Sequence, residues 1–287
     1  MSERDRRRAA EGKHPLAQRL ASIYAHAQTR ISVKVLQALG SARMAERRWR
    51  RARSAEIAAI IKDTREAASP LTGRLIRDVF IQGAQAVAEA RRERAQRPAR
   101  ETLSRVEAEA VNTITEELSG RLDDALSTVG RGVEDIFRRE GLAAAARQLV
   151  AELPEPAAAG ALRSRLERQG LVAFIDRAGR RWNLDTYTAM VVRTVSAEAV
   201  NQGVATRMLG RELDLVDVTY SGDHYHAEGG KEECAPYHGR TFSLTGQSDE
   251  YPKLDWLPPF HPACRHLLKP SRANFVVVER DRELVAA

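Results

Sequence analysis

The chain has 287 residues, 43% hydrophobic, 5% aromatic and 30% charged, with a net charge of +7. That length accommodates one large domain or two ordinary ones, with enough surface buried for a self-sufficient core. No run approaches the roughly 18 apolar residues that span a bilayer, and Met1 to Lys13 is charged, without the apolar segment of a secretory signal.

The charge is unevenly placed. Residues 1–53 carry 14 Lys/Arg against 4 Asp/Glu, a surplus of ten, so the rest of the chain is net −3. The basic positions include Arg6-Arg7-Arg8 and the cluster Arg47, Arg48, Arg50, Arg51 and Arg53 around Trp49. Such an arm attracts polyanions without reading sequence; a solvated helix face is the plainer reading. Trp49 reads as a core or interface side chain, with base stacking as the alternative.

In chain order, the first half reads as helix. From Pro15, the apolar positions Leu16, Leu20, Ile23, Ala27, Ile31, Val35 and Leu39 step by three or four, the spacing of one helical face. Gly40-Ser41 is a stop and restart. A second helix is expected to end at Ser69-Pro70, and a third to run from Leu71 through Leu75, Val79, Gly83 and Val87. A fourth stripe, Leu103, Val106, Ala110, Ile114, Leu118, Leu122, Leu126, Val129, Val133 and Ile136, suits helix-on-helix packing within the chain rather than between copies. Gly120, Gly130 and Gly132 weaken it locally.

Leu153-Pro154-Glu155-Pro156 is the clearest linker, since two closely spaced prolines cannot continue a helix. A short helix is expected from Ala161 to Gln169. Leu171 to Ile175 and Arg181 to Leu184 pair as a hairpin across a turn. Asp185 then caps a helix through Tyr187, Val191, Val195, Ala199 and Val204. Leu215 to Tyr220 and Phe275 to Val278 read as strands. The fold class predicted is α+β: a helical, N-terminally basic region over 1–153 and a smaller mixed α+β domain over 160–287.

Both cysteines and five of the seven histidines fall in one window: His224, His226, Cys234, His238, His261, Cys264 and His266. In a reducing compartment a disulfide is disfavoured, and thiolate with imidazole is the donor set of a tetrahedral zinc site. One structural zinc stapling a loop-rich segment is expected, with Cys234, His261 and Cys264 foremost and His238, His226 and His224 as further candidates. The alternative is a set of hydrogen-bonding or surface side chains beside buried thiols. Two enzymatic readings compete. His226-x-Glu228 before Pro262-x-Cys264 partly matches the zinc deaminase pattern, but Pro262 is not adjacent to Cys264 and the second cysteine is missing. A metal-dependent hydrolase would use the same histidines with Asp223 or Glu228 as base. The chain has neither a Gly-rich phosphate loop nor a GxSxG.

Read continuously, the C-terminal part resembles a known family. Asp176-Arg177-Ala178-Gly179-Arg180-Arg181-Trp182 precedes Leu184-x-x-Tyr187-x-x-Met190. Val192-Arg193-Thr194 then opens a helix holding Ala199-Val200-Asn201-Gln202-Gly203. Cys234-Ala235-Pro236-Tyr237-His238-Gly239-Arg240-Thr241-Phe242-Ser243 follows, then Gly246, Tyr251-Pro252, and Pro258-Pro259-Phe260-His261-Pro262-Ala263-Cys264-Arg265-His266. These strings, HPxCRH above all, resemble the conserved region of tailed-phage minor capsid and head-morphogenesis proteins over roughly 172–270.

The resemblance implies a structural component of the phage head, not an enzyme. It would be assembled in the host cytoplasm and incorporated near the portal, with portal or major capsid protein as partner and no membrane. Packaged DNA could be met through residues 1–53. The resemblance also implies a fold distantly related to ADP-ribosyltransferases, with Arg193 at the place of such an enzyme's first arginine, though no Glu-x-Glu loop follows. Some relatives carry a cysteine pair where this chain has only Cys234, with Lys231 three residues before it. The rival classes are a phage-encoded enzyme, either a metal-dependent hydrolase or an ADP-ribosyltransferase relative, and a basic DNA-binding accessory protein.

Overall fold

The computed structural model describes residues 3–39, 41–90, 103–149, 173–175, 180–219, 234–261 and 264–274. The helices are α1 (Glu3–Ala10), α2 (Pro15–Leu39), α3 (Arg47–Ala90), α4 (Arg105–Leu149) and α5 (Leu184–Leu209), with a 3-10 turn at Ala42–Ala45. The strands are β1 (Ala173–Ile175), β2 (Arg181–Asn183), β3 (Leu215–Val218), β4 (Thr241–Ser243) and β5 (Leu268–Pro270). The α+β class holds: a mainly helical N-terminal part and a small antiparallel sheet near the C-terminus.

The chain forms two compact units, each assembled from separated stretches. One comprises Arg19–Leu71 and Ser119–Ala189, the other Met1–Gln18, Thr72–Leu118 and Met190–Ala287. The linker at 153–156, the helix expected at 161–169 and the strand expected at 275–278 lie outside the described residues.

In the first of these units α2 presents Leu20, Tyr24, Ala27, Ile31 and Val35 to the core, the stripe its sequence predicts. α3 contributes Ile57, Ile60, Ile61 and Ala68, and α4 contributes Leu122, Leu126, Val129, Val133 and Phe137. Each such side chain stabilises by about 1.5–3 kcal/mol when fully buried. Charged pairs rim the helix seams: Arg30 with Asp63 and Lys34 with Glu56 join α2 to α3, while Arg65 binds Asp123 at 2.7 Å and Ser127 at 2.8 Å, joining α3 to α4. β1 and β2 pair as the expected antiparallel hairpin, Phe174 opposite Trp182. α5 begins at Leu184, one residue ahead of the expected cap, and Gln28 accepts the Asp185 amide at 3.0 Å.

One helix boundary and two stripe positions differ from expectation. The second and third helices are one, because α3 runs through Pro70. An interior proline deletes a donor and crowds the carbonyl four residues back, at about 3 kcal/mol. Ala68, Leu71, Thr72, Leu75 and Ile76 are all buried around it, so the apolar face lost by breaking there outweighs that cost. In α4, Val106 is 64% exposed, and Phe137 rather than Ile136 completes the stripe. From Ile114 to Val133 the stripe is buried within the chain, the packing expected of it.

The second unit holds the distal half of α3, the start of α4, α5 and the sheet β4-β3-β5. The strands are antiparallel, with Val216 opposite Phe242 on one side and Pro270 on the other. Its core joins Val87, Val204, Met208, Leu213, Val216, Val218, Phe242, Leu254 and Leu268. α4 opens on a reciprocal capping box: Ser104 donates its amide to Glu107 at 2.9 Å and the Glu107 amide returns to Ser104 Oγ at 3.3 Å. The same carboxylate binds Arg207 of α5 at 2.6 Å, both side chains largely buried. Burial pushes the Glu107 pKa up, but the hydrogen bonds from Arg207 and Ser104 outweigh it and hold the carboxyl below its ordinary value.

α3 and α5 touch backbone to backbone. A Cβ on Gly83 would stand 1.9 Å from the Val200 carbonyl oxygen, and one on Gly203 would stand 2.1 Å from that of Phe80. Neither neighbour can yield without moving a helix. Gly203→Ala should therefore destabilise by about 3 kcal/mol or more through overpacking. Gly120→Ala, in open space on α4, should stabilise by up to about 1 kcal/mol through helix propensity. Urea unfolding of both variants checks the opposed signs, and equal effects would contradict the crossing.

Candidate functional site

β5 and the residues before it bring Cys264, His266 and His238 together. The extended stretch before β5 alternates: Cys264 is buried, Arg265 exposed and His266 buried, as a period-two backbone requires. The pairing is set at Thr219, whose amide donates to Leu267 O at 2.8 Å while its hydroxyl accepts from Leu267 N at 2.9 Å. On the other strand, Cys234 precedes the 3-10 turn Ala235–Tyr237, opened by Pro236, and Gly239 at φ +68 reverses the chain into β4. Tyr237 stacks on Phe260 at 4.2 Å between ring centroids and leans on Phe242 at 5.6 Å.

His266 is the hub. Its Nδ1 lies 3.3 Å from Cys264 Sγ and its Nε2 lies 3.0 Å from His238 Nδ1. Burial pushes the Cys264 thiol up, against opposing backbone hydrogen bonds; a protonated sulfur donating to Nδ1, with His266 Nε2–H donating to His238, is one set of tautomers that these distances admit. Cys234 is 1% exposed, Cys264 4% and His266 1%. A reactive cysteine needs a lowered pKa and access; this one has neither.

The expected ligands therefore divide. Cys234, Cys264 and His238 lie in this cluster; His261 is half-buried and its carbonyl accepts the Cys264 amide at 3.1 Å. His224 and His226, with Asp223 and Glu228, lie outside the described residues. Among the described residues no group of three or more His, Cys, Asp or Glu side chains is placed to hold a metal ion. Arg193 is half-buried on α5, its Cβ 3.3 Å from where a Cβ on Gly12 would stand.

The residue that organises the site is Asn201, fully buried on α5. Its Nδ2 donates to Pro258 O at 2.9 Å and His266 O at 3.3 Å, and its Oδ1 accepts from Leu268 N at 2.8 Å. One amide thus holds the Pro258-Pro259 loop and the strand carrying Cys264 and His266 against the helix. Its signal in the sequence was a single polar residue in the apolar stripe Ala197, Asn201, Val204 and Met208. A second polar clamp sits at Asp214, which accepts from Ser243 Oγ at 2.5 Å and from Thr245 N at 2.8 Å. Burial raises its pKa, but these hydrogen bonds prevail and the carboxyl stays below its ordinary value.

The strings that pass through this site, from the Ala199–Gly203 stretch to the final Cys-Arg-His, match a family model described as phage minor capsid protein 2 over residues 14–268. The chain belongs to that family. The match takes in α2, α3 and α4 as well as the sheet, so the helical half of this minor capsid protein is as much a part of the family as the Cys/His segment. No curated protein and no solved structure matches it. Among the described residues no helix is long and apolar enough to cross a membrane.

Asn201→Ala should leave one buried amide and two carbonyls short of partners, at about 2–4 kcal/mol. Asn201→Asp should cost at least as much, because it keeps the acceptor for Leu268 but turns a carboxylate toward two carbonyls. Thermal melts of both variants check this; a melting point within a degree or so of wild type would remove Asn201 from its organising role.

Proposed function

We propose that this minor capsid protein is a structural, non-catalytic component of a tailed-phage head, incorporated during assembly near the portal and in contact with portal or major capsid protein. The observation that carries the reading is the family match over residues 14–268. The inward-facing Cys264-x-His266 pair supports it, because side chains closed to substrate suit holding a fold rather than turnover. Density-purified particles should contain the chain in stable, sub-stoichiometric amount by quantitative mass spectrometry, and particles made with the gene deleted should lack it and assemble poorly. A chain left wholly in the soluble lysate would overturn the proposal.

Zinc is the second part of this reading. Cys264 Sγ and His266 Nδ1 stand 3.3 Å apart, close to the roughly 3.6 Å that two ligands of one tetrahedral zinc adopt, and His238 behind His266 would be the outer partner that orients it. Cys234 and a ligand from His224, His226 or His261 would complete the set. Elemental analysis of the purified full chain should find about one zinc per chain, lost in Cys264→Ser together with several degrees of melting temperature. A metal-free wild type with the same stability in EDTA would leave the cluster as a hydrogen-bonded network alone.

A further inference from the structure

The basic N-terminal stretch is not one arm. Arg6 is 8% exposed within α1, and both Arg6 and Arg7 have interaction partners. α2 fills a core with Leu20, Ile31 and Val35 at full burial. The densest basic segment is the compact cluster from 41 to 53, with six arginines and one glutamate. Its members sort by what they touch. Arg50 gives its guanidinium to the carbonyls of Met44 and Ala45 at 2.6 and 2.7 Å. Arg53 binds Glu56 at 2.6 Å and lies 5.6 Å over the Trp49 ring. Glu46, the one acid, is held twice by Arg43 at 3.0 Å. Arg47, Arg48 and Arg51 are exposed and make no ion pair or side-chain hydrogen bond among the described residues.

These three stand in the first turn and a half of a 44-residue helix whose opening turn holds no acid. Cations there oppose the helix dipole, which favours them at the other end. Local stability therefore does not account for them. The neighbouring exposed positions are Ala52 and Ala55, and Trp49 is half-buried beneath Arg53. A protein-binding patch has a desolvated apolar or aromatic centre; here the one aromatic ring, Trp49, is covered by Arg53 and its exposed apolar neighbours are alanines. Guanidinium in place of ammonium favours paired hydrogen bonds to phosphate oxygens.

We propose that Arg47, Arg48 and Arg51 form a sequence-independent contact with the phosphate backbone of double-stranded DNA, on a rigid helical surface whose neighbouring arginines are committed to holding it. The contact is a property of the isolated chain and stands or falls separately from incorporation into particles. Deleting 1–53 would not test it, since that removes the buried face of α2. The test is binding of the full chain to a short labelled duplex of arbitrary sequence, by fluorescence anisotropy over a range of salt concentrations. Wild type should show a steep fall of log affinity with log salt. The triple variant Arg47→Ala, Arg48→Ala, Arg51→Ala should melt like wild type, bind roughly tenfold or more weakly, and show a slope shallower by about 2–3. A control removing equal charge from exposed sites elsewhere, Lys62→Ala, Arg74→Ala, Arg105→Ala, should keep the wild-type slope. An equal loss in the control would reduce the effect to net charge and overturn the proposal, as would absence of binding by wild type at low salt. Displacement of the duplex by poly-glutamate at matched charge would assign the patch to an acidic protein instead.

Discussion

Gly83 and Gly203 remove the side chains that would otherwise hold α3 and α5 apart, and the carbonyls of Phe80 and Val200 occupy the space. With two helices in backbone contact, their rotation and stagger have almost no freedom. Asn201 sits two residues from that contact, so its amide arrives where the carbonyls of Pro258 and His266 and the amide of Leu268 need it. From there the order of dependence runs outward: the amide fixes the strand, the strand fixes the alternation of Cys264, Arg265 and His266, and the alternation puts sulfur and imidazole inside. A side chain as small as a methyl at the crossing would be felt at the cluster through this sequence of contacts.

The motif at the end of the family match is directed at the interior of its own unit. Its charged member, Arg265, is the one that faces solvent. Among the described residues the sheet has three strands of three or four residues, and side-chain amides, hydroxyls and carboxylates add to the main-chain bonds that join its segments. Asn201, Thr219 and Asp214 each bind main-chain groups on another segment.

Much of the fold was legible because it rests on period alone. The stripe of α2 ends at Leu39 as read, and the hairpin of β1 and β2 and the start of β3 at Leu215 were marked by the change from a helical to an alternating pattern. Pro70 misled because a local breaker was weighed without the buried face on both sides of it, a tertiary term that one residue does not display. The Cys/His window was visible as composition, but composition does not say which ring nitrogen meets which sulfur, and His266 emerged as the hub only when β5 was placed beside β3. The basic stretch was visible as charge, while its division into arginines that hold the helix start and arginines that face solvent depends on contacts with Glu46, Glu56 and two carbonyls.

Four of the helices contribute to both compact units, and the unit that carries the sheet draws on the first eighteen residues, on 72–118 and on everything after 189. Its strand β5 and the amide of Leu268 come almost at the end of the described chain. Such a unit cannot close while the ribosome is still making its last hundred or so residues, and its contacts span large sequence separations, which slows the search for them. Until then Val87 of α3 and Val204 and Met208 of α5 lack the sheet residues that cover them. That interval is when this apolar face is open to capture by other proteins, so the order in which the chain is completed bears on its fate.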